Sequence, residues 1–303
     1  MEAYIKGKFF IKTGVFVVFL FVSMLTNAAN VLVATTQETR GDGIGIINNV
    51  YDLFVAVPGN VVTDGRGILG QASLVTTTPD FSGYDVVVVV AVHYGLEADE
   101  EAALISAINN RSSGVFALTL DGCCGDGGGG GPTGTYNGDT TVRILNAVMS
   151  PSPSSAVALG NHGFYPMTFS LSADSPYAYS FSGLPSLEGG AYKTVENLPQ
   201  ENILYYDSLN QASGVFLPET DTRGACVFSL LDASLFSNDF LAANAEFAQV
   251  VGDATLDPEG SCYRDKSGLI PSVTPQTVPV MPWYTAVLML VLIPGLVSIY
   301  RRF

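Results

Sequence analysis

The sequence predicts a three-layer α/β domain built on a central, mostly parallel sheet. Three observations carry this expectation. Val86 to Val92 is a run of seven apolar, mostly β-branched residues, which fits a strand covered on both faces and fits no amphipathic helix. Glu97 to Asn109 follows with apolar residues at helical spacing, and Gly114 to Leu120 is a second buried run. Strand, helix and strand at that spacing make a βαβ unit, hence parallel strands joined by a right-handed crossover.

The remaining elements follow in chain order. Asn30 opens a short apolar strand, Asn-Val-Leu-Val-Ala-Thr-Thr. Gly43 to Val57 carries Ile44, Ile47, Val50, Leu53 and Phe54 close to helical spacing, and Pro58 ends it or begins a turn. The helix at Glu97 has Glu97, Asp99, Glu100 and Glu101 in its first turn, which suits the positive end of the helix dipole. Thr140 to Met149 reads as a helix capped from Asp139 or Thr140. Residues 150 to 200 are rich in Ser, Pro, Gly and aromatics. They read as an irregular insertion with short strands such as Phe164 to Leu171, too aromatic to be disordered. Ile203 to Tyr206, Gly214 to Leu217 and Ala225 to Leu231 are further strands. A last helix is expected to be capped by Ser237, Asn238 or Asp239, with Phe240, Leu241, Ala245, Phe247, Ala248 and Val251 as its apolar face.

The two ends read as targeting segments. Residues 1–29 have Lys6, Lys8 and Lys12 before an apolar stretch from Val15 to Leu25, then small residues, so a signal peptide cut after Ala28 or Ala29 is expected. Its apolar stretch is short of the ~20 residues that a membrane span needs. Residues 263–277 are a Pro/Ser/Thr linker. Residues 284–300 carry no charge and precede Arg301 and Arg302. They would make a marginal transmembrane helix of roughly 25 Å, with the arginines left in the cytoplasm. The folded domain is therefore placed at 30–262.

Of the chain's 28 acidic and 13 basic residues, Glu2, Lys6, Lys8, Lys12, Arg301 and Arg302 belong to the ends, leaving the body with 27 against 8, a net charge of −19. Such a body repels nucleic acid and anionic membrane surfaces. The four cysteines, Cys123, Cys124, Cys226 and Cys262, are an even number in an exported chain and read first as disulfides. A vicinal Cys123–Cys124 bond is strained, so pairing of one of them at long range to Cys226 or Cys262 is favoured. Three complete connectivities remain open.

"LTLDGCCGDGGGGGPTG", residues 118–134, is the stretch with the most chemistry in reach. A phosphate-cradling loop would need Lys-Ser/Thr after the glycines, whereas Pro132-Thr133 follow and Asp121 and Asp126 repel phosphate. Asp121, Asp126 and Asp139 offer hard oxygen ligands for calcium, but without calcium-loop spacing. Thiolate zinc lacks a C-x-x-C pair. No cofactor is therefore expected, and a stapled surface loop is the favoured reading.

Two resemblances add to this. Val278, Pro279, Met281, Pro282 and Trp283, then an apolar helix, then Arg301 and Arg302, resemble the IPTL-CTERM type of exosortase sorting signal, here taken over residues 278–303. Val and Met stand where that motif has Ile and Leu. The resemblance implies a Gram-negative envelope protein that passes a secretion translocon and an inner-membrane-anchored stage, is processed by an exosortase-type enzyme, and reaches the envelope or surface among envelope components that the sequence does not name.

Asp232, Ser234, Phe236, Asn238, Asn244, Ala245 and Phe247, following a late strand, resemble the closing segment of class I glutamine amidotransferase-like domains, which share a flavodoxin-like three-layer fold. The likeness is to the non-enzymatic branch seen in auxiliary proteins of gliding and transport systems. The enzymatic branch would carry a Gly-x-Cys-x-Gly elbow after Leu120. Here Cys124 has Gly122 before it and Asp126 after it, so the pattern is broken. His93, which follows the neighbouring strand, is the base that a Cys124 nucleophile would need; His162 in "GNHGF" lacks the relatives' His-x-Glu. The favoured expectation is an exported surface protein with a non-catalytic binding or structural domain. The alternatives are an extracytoplasmic Cys124/His93 hydrolase and a membrane-tethered auxiliary subunit of a transport or motility complex.

Overall fold

The computed structural model describes residues 29–38, 41–70, 79–110, 114–120, 137–163, 166–190, 192–256 and 262. All belong to one compact unit, Met1–Arg264. The signal segment, the linker and the sorting motif lie outside the described residues. Among the described residues no helix is long and apolar enough to cross a membrane.

Strands β1 (Asn30–Thr36), β2 (Val61–Leu69), β3 (Val86–Ala91), β4 (Val115–Leu120), β6 (Met167–Leu171), β7 (Ser186–Gly189), β9 (Ile203–Tyr206), β10 (Ala212–Leu217) and β11 (Cys226–Leu230) form one sheet in the order β2-β1-β3-β4-β11-β10-β9-β6-β7. The first five of these are mutually parallel and the junctions beyond β11 are antiparallel. Strands β5 (Ala158–Gly163) and β8 (Tyr192–Glu196) pair as a separate ribbon. The fold is therefore mixed α/β.

Register explains how apolar runs without alternation fill two cores. Val33, Val88, Ala117, Phe228 and Phe216 are partners in successive strands, and all lie in one buried cluster. Their chain neighbours Leu32, Val87, Phe116, Val227 and Leu217 form the matching row on the other face. Each strand thus needs apolar residues at every position, because helices cover both faces. Helices α1 (Gly41–Ala56) and α4 (Phe247–Leu256) cover the first face through Ile46, Ile47, Val50 and Phe54 and through Phe247, Ala248, Val250 and Val251. Helices α2 (Ala98–Asn110) and α3 (Asn137–Val148) cover the second through Leu104, Ile108, Ile144, Leu145 and Val148.

Local chemistry sets the helix ends. Helix α1 stops where Gly59 turns at φ 92° and the Asn60 side chain donates to the Phe54 carbonyl (3.1 Å). At the start of α2, Glu100 reaches back to accept the Glu97 N–H (2.8 Å), the return half of a capping box.

Two expectations need correction, and one strand was missed. Helix α3 begins at Asn137, so Asp139 sits in its first turn rather than at its cap. Residues 237–246 form successive turns, with Leu241 N–H donating to Ser237 O and Asn244 N–H to Phe240 O, and α4 starts only at Phe247. The reason is that Asn238 and Asn244 direct their side chains to other segments, to Asn49 and to residues 188 and 235. Finally, β2 had no counterpart in the sequence reading. Its Val-Val-Thr-Asp-Gly-Arg-Gly-Ile-Leu lacks an apolar pattern because it is an edge strand with only two of its nine positions buried.

The aromatic insertion is part of the core. Strands β6 and β7 extend the main sheet, and Phe181 packs against Phe216 (5.1 Å between centroids) and Phe228 (5.3 Å). Buried Tyr205 donates its hydroxyl to the Leu184 carbonyl (2.7 Å).

Candidate functional site

Parallel strands β1, β3, β4 and β11 all end on one edge of the sheet, where open α/β sheets place their ligands. Two polar clusters stand there.

The first is built from the residues after β1 and β3. Glu38 is fully buried at its side chain. It accepts a hydrogen bond from the Thr36 hydroxyl (2.9 Å) and another from the His93 main-chain N–H (3.1 Å). His93 Nδ1 lies 3.0 Å from the second carboxylate oxygen. Burial pushes the Glu38 carboxyl up, but the hydrogen bonds from the His93 ring, the His93 main chain and Thr36, with the histidine's charge, bring it net below the ordinary range. An ionised Glu38 makes Nδ1 the protonated ring nitrogen. Nε2 then faces outward, 3.6 Å from the exposed carboxylate of Asp42 in the first turn of α1. Gly43 permits the approach of that helix, since a Cβ there would come within 2.8 Å of Glu38 Oε2 and 3.0 Å of His93 Nδ1.

An imidazole held by a buried carboxylate is the arrangement that positions a general base. Glu38 was not singled out from the sequence. The signal that points to it is an acid two residues beyond a buried parallel strand, which puts a carboxylate on the edge where His93 was expected. His93 itself is on the edge as expected, and Leu120, the last residue before the glycine loop, is the register partner of Ala91. Asp121, Cys123, Cys124 and Asp126 lie outside the described residues. Among the described residues no group of three or more His, Cys, Asp or Glu side chains is placed to hold a metal ion.

The second cluster follows β11. Asp232 is buried, and its carboxylate accepts from Ser234 N–H (2.7 Å) and Gly190 N–H (3.0 Å). Ser234 Oγ also accepts from Gly190 N–H (2.8 Å). Asn244, fully buried, accepts from Glu188 N–H (3.0 Å) and donates to the carbonyls of Glu188 (2.7 Å) and Leu235 (2.8 Å). The late motif therefore binds the chain's own main chain at the outer strand β7.

Cys226 and Cys262 are both buried in the core of the first face, as thiols. They lie away from the carboxyl edge, since Cys226 is the first residue of its strand.

No protein-family model matches the sequence, and no curated protein sequence matches it. Among solved structures, a ThuA-like protein of Parabacteroides merdae is similar at 11% identity and a TM-score of 0.41, over 75% of this chain and 90% of that one. A ThuA-like protein of Bacteroides uniformis is similar at 11% identity and a TM-score of 0.41, over 78% and 97%. A cytoplasmic protein of Salmonella typhimurium is similar at 10% identity and a TM-score of 0.42, over 72% and 97%. These are likenesses of coarse architecture, and no residue's role passes from them to this chain.

Proposed function

We propose that this chain is an exported envelope protein, sorted by an exosortase-type system, whose α/β domain binds or scaffolds instead of catalysing. Export and sorting rest on the lysine-led apolar segment of residues 1–29 and on Val278 to Trp283 with Arg301 and Arg302. The observation that carries the non-catalytic reading is the late motif. Asp232, Ser234 and Asn244 direct their hydrogen bonds to residues 188–190, 234 and 235 of the same chain. Side chains occupied in this way hold an edge strand and offer a substrate nothing. Intact-mass spectrometry of the protein from its own cells tests the proposal. Loss of the first 28 or 29 residues and an end near Pro282 are expected. Retention of residues 283–303 in the mature protein overturns the sorting, and retention of residues 1–28 overturns the export.

A second reading, the Cys124/His93 hydrolase, is favoured by one observation, the Glu38–His93 hydrogen bonds. Its test is the rate at which iodoacetamide alkylates Cys124 in the folded protein. A fast, His93-dependent rate that drops in Glu38→Gln supports it. A thiol no faster than free cysteine, or one already oxidised, removes it.

A further inference from the structure

Cys226 opens β11, a central strand hydrogen-bonded on one side to β4 through Val115 and on the other to β10. It is 0% exposed. Cys262 lies beyond the end of α4 and is 2% exposed. The two belong to one buried cluster, and their side chains are in hydrogen-bond contact. Among the described residues no third His, Cys, Asp or Glu joins them in a metal-binding group. Two cysteines from positions this far apart, whose side chains meet within an apolar core, are a pairing that sequence spacing leaves open.

We propose that Cys226 and Cys262 form a disulfide that fastens the chain beyond α4 to the middle of the sheet. The pairing runs against the long-range partners that the sequence favoured for Cys123 and Cys124, and it leaves those two with only each other among the chain's cysteines. The oxidant is a thiol–disulfide oxidoreductase in its disulfide form. The Cys262 thiolate attacks the oxidant's disulfide, making a mixed disulfide and releasing one oxidant thiolate. The Cys226 thiolate then attacks the Cys262 sulfur and expels the second. The oxidant leaves as a dithiol, carrying the two electrons and the two protons. Burial raises the Cys262 thiol well above its ordinary value, with Cys226 and Glu219 adding to the shift. Ionisation is therefore favoured before the core closes, so the bond forms during folding. Its supply of oxidant rests on the export proposed above, whereas the choice of these two sulfurs rests on the packing alone.

The test is a disulfide map of the protein from its own cells, denatured in iodoacetamide and cut with trypsin. No Lys or Arg lies between Arg223 and Arg264, so both cysteines fall in the single peptide 224–264, while Cys123 and Cys124 fall in 112–143. The expected result is peptide 224–264 unalkylated and lighter than its reduced form by two hydrogens. A cross-link between 224–264 and 112–143 overturns the pairing. If all cysteines arrive alkylated, the export reading fails and the pairing is decided by refolding the full chain in reduced and oxidised glutathione. Closure within 224–264 in that refolded chain upholds the pairing, and its absence overturns it.

Discussion

Glu38 takes hydrogen bonds from both the main-chain N–H and the ring of His93, so one buried carboxylate fixes the turn after β3 and the tautomer of its histidine together. The carboxyl lies below its ordinary value in the fold. Its contribution to stability is present above the unfolded-state value of about 4.5 and is lost as the pH falls through the lower folded value. Urea unfolding of Glu38→Gln is expected to show a lower midpoint than the parent at pH 7, with the gap closing toward pH 3. A gap that is constant with pH would mean that the charge of Glu38 contributes nothing.

Glu100 supplies the opposite sign. Burial raises its carboxyl, the Glu97 and Gly70 N–H groups pull it partly back, and the charges of Asp99 and Glu97 add to the rise. A folded-state value above the unfolded one removes stability as the pH climbs through that interval. Glu100→Gln keeps an acceptor for Gly70 and Glu97 without the charge. The variant should gain on the parent between pH 4 and pH 7 in the same urea series, and a growing deficit over that range would refute the assignment.

Gly189 faces the bound carboxylate of Asp232. A Cβ at position 189 would overlap Asp232 Oδ2 and approach Phe169 to 3.0 Å. Because that carboxylate is held by Gly190 and Ser234, it cannot swing aside cheaply. Gly189→Ala should cost ~1–3 kcal/mol as an overpacked site. In an Asp232→Ala background much of that added cost should vanish, and equal costs in both backgrounds would show that the clash lies elsewhere.

Asn244 acts as a substitute strand for β7. Sheet edges expose unpaired N–H and C=O groups, and Asn244 pairs both of those groups of Glu188. Asn244→Ala leaves the buried Leu235 carbonyl and the part-buried main-chain groups of Glu188 without this partner and should cost roughly 1–3 kcal/mol. Hydrogen exchange of the Glu188 amide should quicken with it. An unchanged amide would mean that β7 is held by β6 alone.

The two buried cysteines yield a non-additive prediction. If they are bonded, Cys226→Ala and Cys262→Ala each remove the same cross-link over residues 227–261, at ~4 kcal/mol by loop closure. The double variant should then lose little more than either single one, as read from thermal unfolding of full-length protein. Fully additive losses would indicate two independent packing contributions.

The chain's order alone determined the parallel centre of this protein. Val86 to Val92, Gly114 to Leu120 and the helix between them are legible because burial on both faces demands unbroken apolar strands, and that pattern is local. His93 at the carboxyl edge followed from the same βαβ logic. Strand β2 was not legible, since an edge strand tolerates Asp64, Gly65 and Arg66 and so carries no periodic signal. The delayed start of α4 was hidden too. Asn238 and Asn244 look like ordinary cap and helix residues until Asn49, Glu188 and Leu235 arrive from elsewhere to claim their side chains. The partner of His93 and the neighbour of Cys226 were decided only by tertiary structure. Glu38 lies 55 residues from His93 along the chain, and nothing in local spacing encodes which distant strand end or core position folding will bring alongside.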